Sequence, residues 1–284
     1  MRTFDVATVG DNCIDRYLSP ISVSMIGGNA LNVAVHLQRQ SLNVAYFGAV
    51  GADDEGHRLV ACLEDNGVAT QHVRVTPGRT AYTDIQTDDD GERTIEFEDF
   101  GVCWDYRPEP AEVQRLLTMR HVHLGWLNDG GGLRRTLTRE GVSVSQDVSV
   151  NAEPGSLGVG GLSIAFASAG PSLERAEVML AQMLAEGARL AVVTRGARGS
   201  IASDGGQRAE TSVAPVEVVD TTGAGDTFIA GFIAAHLRGD GLQVGLEAGR
   251  DLAASTCAHL GGFPQPGAAL RLPQGEHGPR RDLR

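Results

Sequence analysis

The chain has 284 residues, of which 42% are hydrophobic and 21% charged, so it can bury a sizeable core and has the composition of an ordinary globular protein. All 24 of its basic residues are arginine, and the absence of lysine excludes Walker A phosphate loops, the protein-kinase mechanism and Schiff-base chemistry, each of which needs a lysine amine. The net charge of −12 argues against a protein that coats nucleic acid or an anionic membrane.

No part of the sequence predicts export or insertion into a membrane. The chain runs from Phe4 directly into a strand-like segment, without the basic start and apolar region of a signal peptide. No stretch approaches the ~18 consecutive apolar residues of a membrane span. The cysteines form no CxxC pair, which favours reduced thiols over a disulfide framework or a zinc site; they are Cys13, Cys62, Cys103 and Cys257. We therefore expect a soluble protein of the cytoplasm.

Apolar, β-branched runs alternate with helical patterns along most of the chain. The predicted strands are residues 4–10, 43–50, 71–75, 120–124, 142–147, 162–167 and 190–194. The predicted helices are residues 30–38, 55–66, 110–118, 133–139 and 172–186. This alternation predicts an α/β fold with a mostly parallel central sheet and helices on both faces. Sheets of this class bind ligands beyond the carboxyl ends of their strands.

Two regions interrupt the alternation. Residues 79–101 alternate polar and apolar on both sides of an acidic segment ending in glycine at residues 88–91, which predicts a β-hairpin. Together with residues 16–25, this hairpin would form a small second sheet. Residues 264–284 are rich in proline, glycine and arginine without apolar periodicity, which predicts a loosely ordered tail after one domain of residues 1–263.

A first glycine-rich element, IGGNALNVA, occupies residues 26–34. Gly27 and Gly28 precede a predicted helix that carries Asn29 and Asn32 near its start. The glycines would let the main chain approach a polyol closely, and the asparagine amides can both donate and accept hydrogen bonds with hydroxyls. Taken alone, the motif is equally well explained as an ordinary helix entry.

A second glycine-rich element, VVDTTGAGDTFIA, occupies residues 218–230 and leads from a turn into a helical pattern. Backbone amides at a helix start form an anion site, and the amides here belong to Gly223, Ala224 and Gly225. Asp226, in the first turn, could accept the proton of an attacking hydroxyl during phosphoryl transfer. The alternative is a plain turn with a helix-capping acid. The flanking Asp220 and Thr221, together with the first glycine-rich element, favour phosphoryl transfer.

The two glycine-rich motifs, with FGAVGADDEG between them, resemble the PfkB family of carbohydrate kinases, also called the ribokinase family. The resemblance extends over residues 4–263, and the segments GDNCID, GGNALNVAV and FASA are most similar to the fructoselysine 6-kinase branch of that family. It implies a ribokinase-like fold in which the small β-sheet is a lid that covers the sugar and takes part in a homodimer contact.

The resemblance also implies the reaction and its residues. A kinase of this family transfers the γ-phosphate of ATP, with Mg²⁺, to a primary hydroxyl of a sugar or sugar amine. Asp226 matches the catalytic base, and Gly223, Ala224 and Gly225 match the anion hole. Sugar-binding positions are matched by Asp15, Gly27, Gly28 and Asn32. The nucleotide-binding positions are matched by Thr194 and Gly196, and a site for a monovalent cation, K⁺, by Asp220.

One family feature is missing from the sequence. Many relatives carry an NxxE motif, which handles magnesium and phosphate, before the nucleotide-binding strand. Here the corresponding stretch is FASAGPSLER, in which the asparagine is absent. Glu174 and Asp147 are therefore the candidates for ordering the magnesium ion. Arg195 could supply some of the positive charge that lysine would otherwise provide, or it could be a solvated surface arginine.

The predicted hairpin is unusually acidic, and part of this charge is explained by a solvated sheet edge that avoids unwanted strand pairing. A second hypothesis concerns Glu96, Glu98 and Asp99. Carboxylates on a lid would attract a substrate with a protonated amine, such as fructoselysine. We therefore predict that neutralising all three lowers the activity on fructoselysine relative to fructose.

The residues leave other functions open. The acceptor could be another ketose, ribose or a nucleoside. The chain could also be a non-catalytic sugar or nucleotide sensor on a kinase scaffold, although the intact DTTGAGD motif argues against this. A pair of histidines on one predicted strand, His121 and His123, could bind a metal, but no third ligand stands at a recognisable spacing. A dinucleotide-binding oxidoreductase is excluded, because GDNCID after the first strand is not a GxGxxG motif.

Overall fold

The structure, a computed structural model, describes residues 4–87 and 93–270. The strands are β1 (Val6–Val9), β2 (Cys13–Tyr17), β3 (Val23–Gly27), β4 (Val44–Gly51), β5 (Ala69–Thr76), β6 (Tyr82–Thr87), β7 (Arg93–Asp99), β8 (His121–Leu124), β9 (Ser143–Asp147), β10 (Ile164–Ser168), β11 (Ala191–Thr194), β12 (Ser200–Ser203), β13 (Arg208–Thr211) and β14 (Ala268–Ala269). The α-helices are α1 (Asn29–Arg39), α2 (Asp54–Asp65), α3 (Pro110–Leu116), α4 (Gly132–Arg139), α5 (Leu173–Ala185), α6 (Ala224–Arg238) and α7 (Leu242–Cys257). Single 3₁₀ turns occupy Gly101–Cys103, Pro154–Leu157 and Gly196–Arg198.

The main sheet has nine strands in the order β13-β12-β11-β10-β9-β8-β1-β4-β5. The seven strands from β11 to β5 pair in parallel, and β12 and β13 extend one edge in antiparallel fashion. Apolar side chains pack on both faces, against α1, α2, α6 and α7 on one face and against α3, α4 and α5 on the other. The predicted α/β architecture, with a mostly parallel sheet between two helical layers, is therefore confirmed.

Three elements of this architecture were not predicted. Strands β12 and β13 are four residues each and rich in small or polar side chains, so they carry little β-branched signal. Helix α7 contains Gly245 and Gly249, which weaken a helical pattern. A Cβ at Gly245 would lie 2.9 Å from the Phe232 ring, and one at Gly249 would lie 2.8 Å from that of Phe228. The glycines therefore serve the close packing of α7 on α6.

The second sheet has five strands in the order β14-β3-β2-β6-β7, and it stands beside the carboxyl edge of the main sheet. The predicted hairpin is confirmed as the antiparallel pair β6–β7, while its turn at residues 88–91 lies outside the described residues. A bulge interrupts the pairing: Asp84 opposes Phe97 and Ile85 opposes Ile95, so Glu96 has no opposite residue.

The chain after Phe263 is ordered further than the sequence predicts. The side-chain amide of Gln265 exchanges two hydrogen bonds of 2.8 Å with the backbone of Ile26, and β14 pairs with β3. These bonds attach residues 264–270 to the second sheet because they satisfy backbone groups of its β3 edge. Residues 271–284, the rest of the predicted tail, lie outside the described residues.

Two contacts fix the second sheet relative to the helices. The Tyr17 hydroxyl donates a 2.6 Å hydrogen bond to Asp220, in the loop before α6. The Arg58 guanidinium, on α2, donates to the Ser24 backbone carbonyl at 2.9 Å. As a result, the carboxyl ends of β1, β8 and β9, the starts of α1 and α6, and one face of the second sheet converge on a common space. No helix within residues 4–87 and 93–270 has the length and apolar character needed to cross a lipid bilayer.

Candidate active site

A cavity of about 650 Å³ lies between the carboxyl edge of the main sheet and the second sheet. Ligands bind at this position in open α/β folds because the strand ends and helix starts present polar groups there. The cavity brings together predicted site residues that are far apart in sequence: Asp15, Gly28, Asn32, Gly223 and Asp226. Residues of the hairpin, including Thr83, Ile95 and Glu98, form the opposite wall.

Asp226, in the first turn of α6, is held by two asparagines of α1. Its Oδ1 accepts from Asn29 Nδ2 and its Oδ2 accepts from Asn32 Nδ2, each at 2.7 Å. Burial raises the pKa of this carboxyl well above its ordinary value, and the charges of Asp147 and Asp11 raise it further, whereas the asparagine bonds lower it. A carboxylate of raised basicity at a helix N-terminus suits the removal of a proton from a hydroxyl.

The turn before α6 carries the three predicted anion-hole residues, and Gly223 sets its backbone conformation. Gly223 caps the helix in the left-handed region at φ 74°, and a Cβ there would lie 2.5 Å from the Gly262 Cα atom. Only glycine therefore fits at this position without strain. The amide of Ala224, one of three predicted anion-hole groups, donates to the Thr221 carbonyl at 3.2 Å, so it would change partner to reach a phosphate.

Asp15, on β2, is 5% exposed, and its Oδ1 accepts a 3.2 Å hydrogen bond from the Cys13 thiol. Burial raises its pKa to about 7, with further contributions from the negative charges of Asp11 and Glu98. A Cβ on Gly27 would lie 2.1 Å from Asp15 Oδ2. Gly27 therefore makes room for this carboxylate, while Gly28 is the glycine that lines the cavity.

Three further polar residues belong to the site. Asp11 was not predicted, whereas Asn29 and Asp147 were named from the sequence without the contact between them. The Asp11 carboxylate accepts from the amides of Asn29 and Trp126 at 2.9 and 3.1 Å, which ties β1 to α1 and to the loop after β8. Burial raises the Asp11 pKa to about 6. Asn29 Nδ2 donates to Asp147 Oδ2 at 2.9 Å as well as to Asp226. The position of Asp11, directly after the first strand, was the sequence signal that could have identified it.

The two magnesium candidates are in different environments. Glu174 is exposed on the first turn of α5, whereas Asp147 is 6% exposed at the end of β9, joined to Asp226 through Asn29. Within the described part of the chain, no three His, Cys, Asp or Glu side chains come together as a metal site. A single carboxylate fits magnesium that arrives bound to phosphates, because this ion keeps several water ligands. Of the two candidates, Asp147 is the one joined to Asp226, and its role toward magnesium stays a prediction.

The predicted nucleotide residues lie outside the cavity. Thr194 ends β11, and Gly196 begins the 3₁₀ turn that follows. The loop before Asp220 exposes four valines with 38–60% of their surface accessible: Val213, Val216, Val218 and Val219. Val219 is fixed by its amide, which donates to the Cys257 carbonyl at 2.8 Å. These valines form an exposed apolar segment shortly before the helix that carries Asp226.

Asp220, predicted near a potassium site, is 1% exposed. Its carboxylate accepts from the Tyr17 hydroxyl at 2.6 Å and from the amides of Gly261 and Thr222 at 2.7 Å. The Tyr17 bond ties the second sheet to the loop before α6, and the Gly261 bond ties that loop to the chain after α7. The assignment of a cation to this region stays a prediction.

His121 and His123 are fully buried on one face of β8 and bond to serine hydroxyls of β9. The His121 ring contacts Ser143 and Ser145 at 2.9 and 2.8 Å, and the His123 ring contacts Ser145 at 2.9 Å. Burial lowers the pKa of both rings to about 3, so they are neutral near pH 7. This arrangement supports a role in sheet packing over a metal pair.

The raised carboxyl pKa values predict how activity depends on pH. Asp226 must be ionised to take the hydroxyl proton, and an ionised Asp15 accepts the stronger, charge-assisted hydrogen bonds from the sugar hydroxyls. The pKa values of both groups lie above those of free carboxyls. We therefore expect kcat/KM for the sugar to increase, with a slope of one to two on a logarithmic plot, as the pH rises through about 7, the pKa of Asp15. Initial rates at saturating ATP between pH 5 and pH 9 measure this. A profile that is flat down to pH 5 would contradict these assignments.

The chain is similar to several known proteins. Residues 22–116 and 161–265 match the family described as pfkB family carbohydrate kinase. The chain is 33% identical over 260 residues to fructoselysine 6-kinase of Escherichia coli, covering 91% of this chain and 99% of that protein. It is 29% identical over 272 residues to fructosamine kinase FrlD of Bacillus subtilis, covering 90% of this chain and 91% of that protein. The fold is also that of Arabidopsis thaliana ribokinase complexed with ribose and ATP, with a TM-score of 0.80 at 22% identity over 92% of this chain and 94% of that one.

Proposed function

The chain belongs to the PfkB family of carbohydrate kinases and is an ATP-dependent sugar kinase; from this premise we propose that it phosphorylates the 6-hydroxyl, a primary hydroxyl, of a fructosamine such as fructoselysine. The single observation that carries the reaction is the position of Asp226. Its carboxylate lies at a helix N-terminus and in the same cavity as Asp15 and Asn32. The relatives named for fructoselysine and fructosamine support the acceptor.

The proposed chemistry is an in-line transfer in which the protein supplies positioning and electrostatic stabilisation. Asp15 and Asn32 hold the sugar hydroxyls. One oxygen of Asp226 exchanges its asparagine hydrogen bond for the substrate hydroxyl and takes its proton. The hydroxyl oxygen forms a bond to the γ-phosphorus as the bond to the leaving ADP oxygen breaks. The amides of Gly223, Ala224 and Gly225 stabilise the charge on the transferring group.

The nucleotide is proposed to lie beside this cavity. Thr194 and Gly196 contact its phosphates, and the exposed valines of the loop before Asp220 contact its base. Magnesium bound to ATP would offset negative charge on the phosphates. Asp147 would order its water ligands, since Asn29 joins it to the Asp226 carboxylate.

The second sheet would act as a lid that excludes water from the reaction and so limits hydrolysis of ATP. The same sheet would make a homodimer contact. A monovalent cation near Asp220 would be potassium. The kinase domain would comprise residues 1–263, extended by the segment that pairs with β3.

A substrate panel tests this function. Release of ADP is measured with fructoselysine, fructose, ribose and adenosine, each with and without potassium. We expect the highest kcat/KM with fructoselysine, and a higher rate in potassium. A preference for ribose or adenosine would contradict the proposed acceptor. ADP release with none of the four would support the sensor function instead.

A further inference from the structure

The cavity is acidic beyond what the transfer reaction requires. Five of its lining residues carry carboxyl groups, and no described lining residue is lysine, arginine or histidine; the five are Asp11, Asp15, Glu98, Asp99 and Asp226. A negatively charged substrate, such as a sugar that already carries phosphate, would meet repulsion there. A bound cation favours the ionised form of these carboxyl groups, so the lining complements a cationic substrate.

Buried amide oxygens in the lining point independently to a ligand rich in hydrogen-bond donors. Asn12 and Asn32 are 1% and 2% exposed, and the Oδ1 atom of each has no hydrogen-bond partner among the described residues. Both residues line the cavity. A buried acceptor without a donor is costly, so the structure favours a ligand that brings hydroxyl or ammonium donors.

The structure distinguishes the three lid carboxylates that the sequence grouped together. Glu96 is the extra residue of the bulge; it is exposed, accepts from the Thr94 hydroxyl and does not line the cavity. Asp99 lines the cavity, but it accepts from the Gly101 amide at 2.8 Å and lies 3.9 Å from the Arg79 guanidinium. Glu98 lines the cavity, and its Oε2 accepts a 3.3 Å hydrogen bond from the neutral side chain of Asn151.

Glu98 stands at a suitable distance from the sugar-binding carboxylate. Asp15 on β2 is in register with Thr83 on β6, which is in register with Glu98 on β7. All three line the cavity. The Cα atoms of Asp15 and Glu98 are therefore two strand spacings apart, or about 10 Å. A substrate whose hydroxyls bind Asp15 can therefore extend a neighbouring amine toward Glu98.

An aromatic surface adjoins Glu98 in the same cavity. The rings of Phe100 and Trp126 are stacked with centroids 4.0 Å apart, and both residues line the cavity. The Trp126 indole donates a 2.7 Å hydrogen bond to the Asn151 carbonyl. Asn151 therefore holds both the indole and the Glu98 carboxylate. An apolar chain attached to the amine would pack against these rings.

We propose that Glu98 binds the secondary ammonium of the substrate, and that Phe100 and Trp126 pack against the aliphatic chain that this nitrogen carries. This amine subsite consists of Glu98, Asn151, Phe100 and Trp126. It rests on the proposed function, which supplies a sugar amine as the acceptor. The subsite makes the amine, rather than the sugar ring, the feature that distinguishes the substrate from free fructose.

The test compares E98Q with E96Q, which removes the same charge from the same strand outside the cavity. kcat/KM is measured for fructoselysine and for fructose, and thermal melting checks that both variants fold. A hydrogen bond to a charged group contributes enough that E98Q should lower the fructoselysine-to-fructose ratio about 10- to 100-fold. E96Q should leave the ratio unchanged. Without ATP, E98Q should weaken fructoselysine binding in calorimetry by a similar factor.

The outcomes separate this inference from the proposed function. If the wild type prefers fructoselysine and E98Q retains the wild-type ratio, the amine subsite is wrong and the proposed function stands. If E96Q lowers the ratio as much as E98Q, the effect is the general charge of the lid, and the assignment to Glu98 is also wrong. If the wild type does not phosphorylate fructoselysine, the proposed acceptor fails, and the subsite fails with it.

Discussion

Replacing Asp226 with asparagine is expected to lower turnover at least about 100-fold while ATP binding stays within a few-fold of the wild type. Loss of a positioned general base has an effect of this size. The amide cannot take a proton, and it would also place an N–H group against the donating amide of Asn29 or Asn32. Turnover is measured with fructoselysine at saturating ATP, and ATP binding by calorimetry.

The control for this prediction is the same substitution at the other end of the helix. Asp240 is exposed just after α6 and pairs with Arg238 at 3.1 Å. D240N should keep wild-type turnover because its carboxylate touches neither substrate nor base. A D226N enzyme with near-normal turnover would remove Asp226 from the role of base.

Replacing Asp15 with asparagine is expected to weaken sugar use strongly and to stabilise the protein. The amide loses charge-assisted hydrogen bonds to the sugar hydroxyls, so kcat/KM should fall about 100-fold or more. Stability should change in the opposite direction, because the Asp15 pKa is raised to about 7 by burial. Below the pKa that Asp15 has in the unfolded chain, its carboxyl is protonated in both states and the wild type keeps its full stability. This stability is lost as the pH rises through 7, because the buried group must then ionise.

The stability half of this prediction has a defined pH window. At pH 8, the free energy of unfolding of D15N should be about 2–4 kcal/mol higher than that of the wild type, because the variant avoids a buried charge. This gain should shrink as the pH falls from 7 to 4, where the wild-type carboxyl is protonated. Denaturant unfolding at pH 8 and pH 4.5 measures it, with D65N, at an exposed position of α2, as control. If the stability gain of D15N over the wild type is smaller at pH 8 than at pH 4.5, the assigned pKa of Asp15 is wrong.

The parts of the site that depend on local sequence were predictable. The turn before Asp226 and the glycine pair before α1 are continuous motifs, and each carries residues that line the cavity. The anion site and the polyol site assigned to them stay predictions. The hydrogen-bond bridge of Asn29 to Asp147 and Asp226 was not predictable, because it joins residues from three distant segments. The packing of α1 against α6 brings Asn29 to Asp226, and Asp147 at the end of β9 bonds to the same asparagine.

Two further differences arise from packing that a residue pattern does not report. Strict alternation along β7 would place Glu96 and Glu98 on the same face, but the bulge at Glu96 breaks that register. The role of Gly27 also depends on a neighbour: the Asp15 carboxylate of the adjacent strand occupies the space where a side chain would be. In both cases the strand partner decides the function of the residue.

The most direct test of the central claim is the structure of the product. Wild-type enzyme is incubated with ATP, magnesium and fructoselysine, and the sugar phosphate is identified by phosphorus and carbon NMR while ADP is quantified. We expect one product, phosphorylated at the 6-hydroxyl and formed in equal amount to ADP, and none above background with D226N. ADP without a sugar phosphate, or phosphate on a secondary hydroxyl, would contradict an Asp226 base acting on a fructosamine held by Asp15 and Asn32.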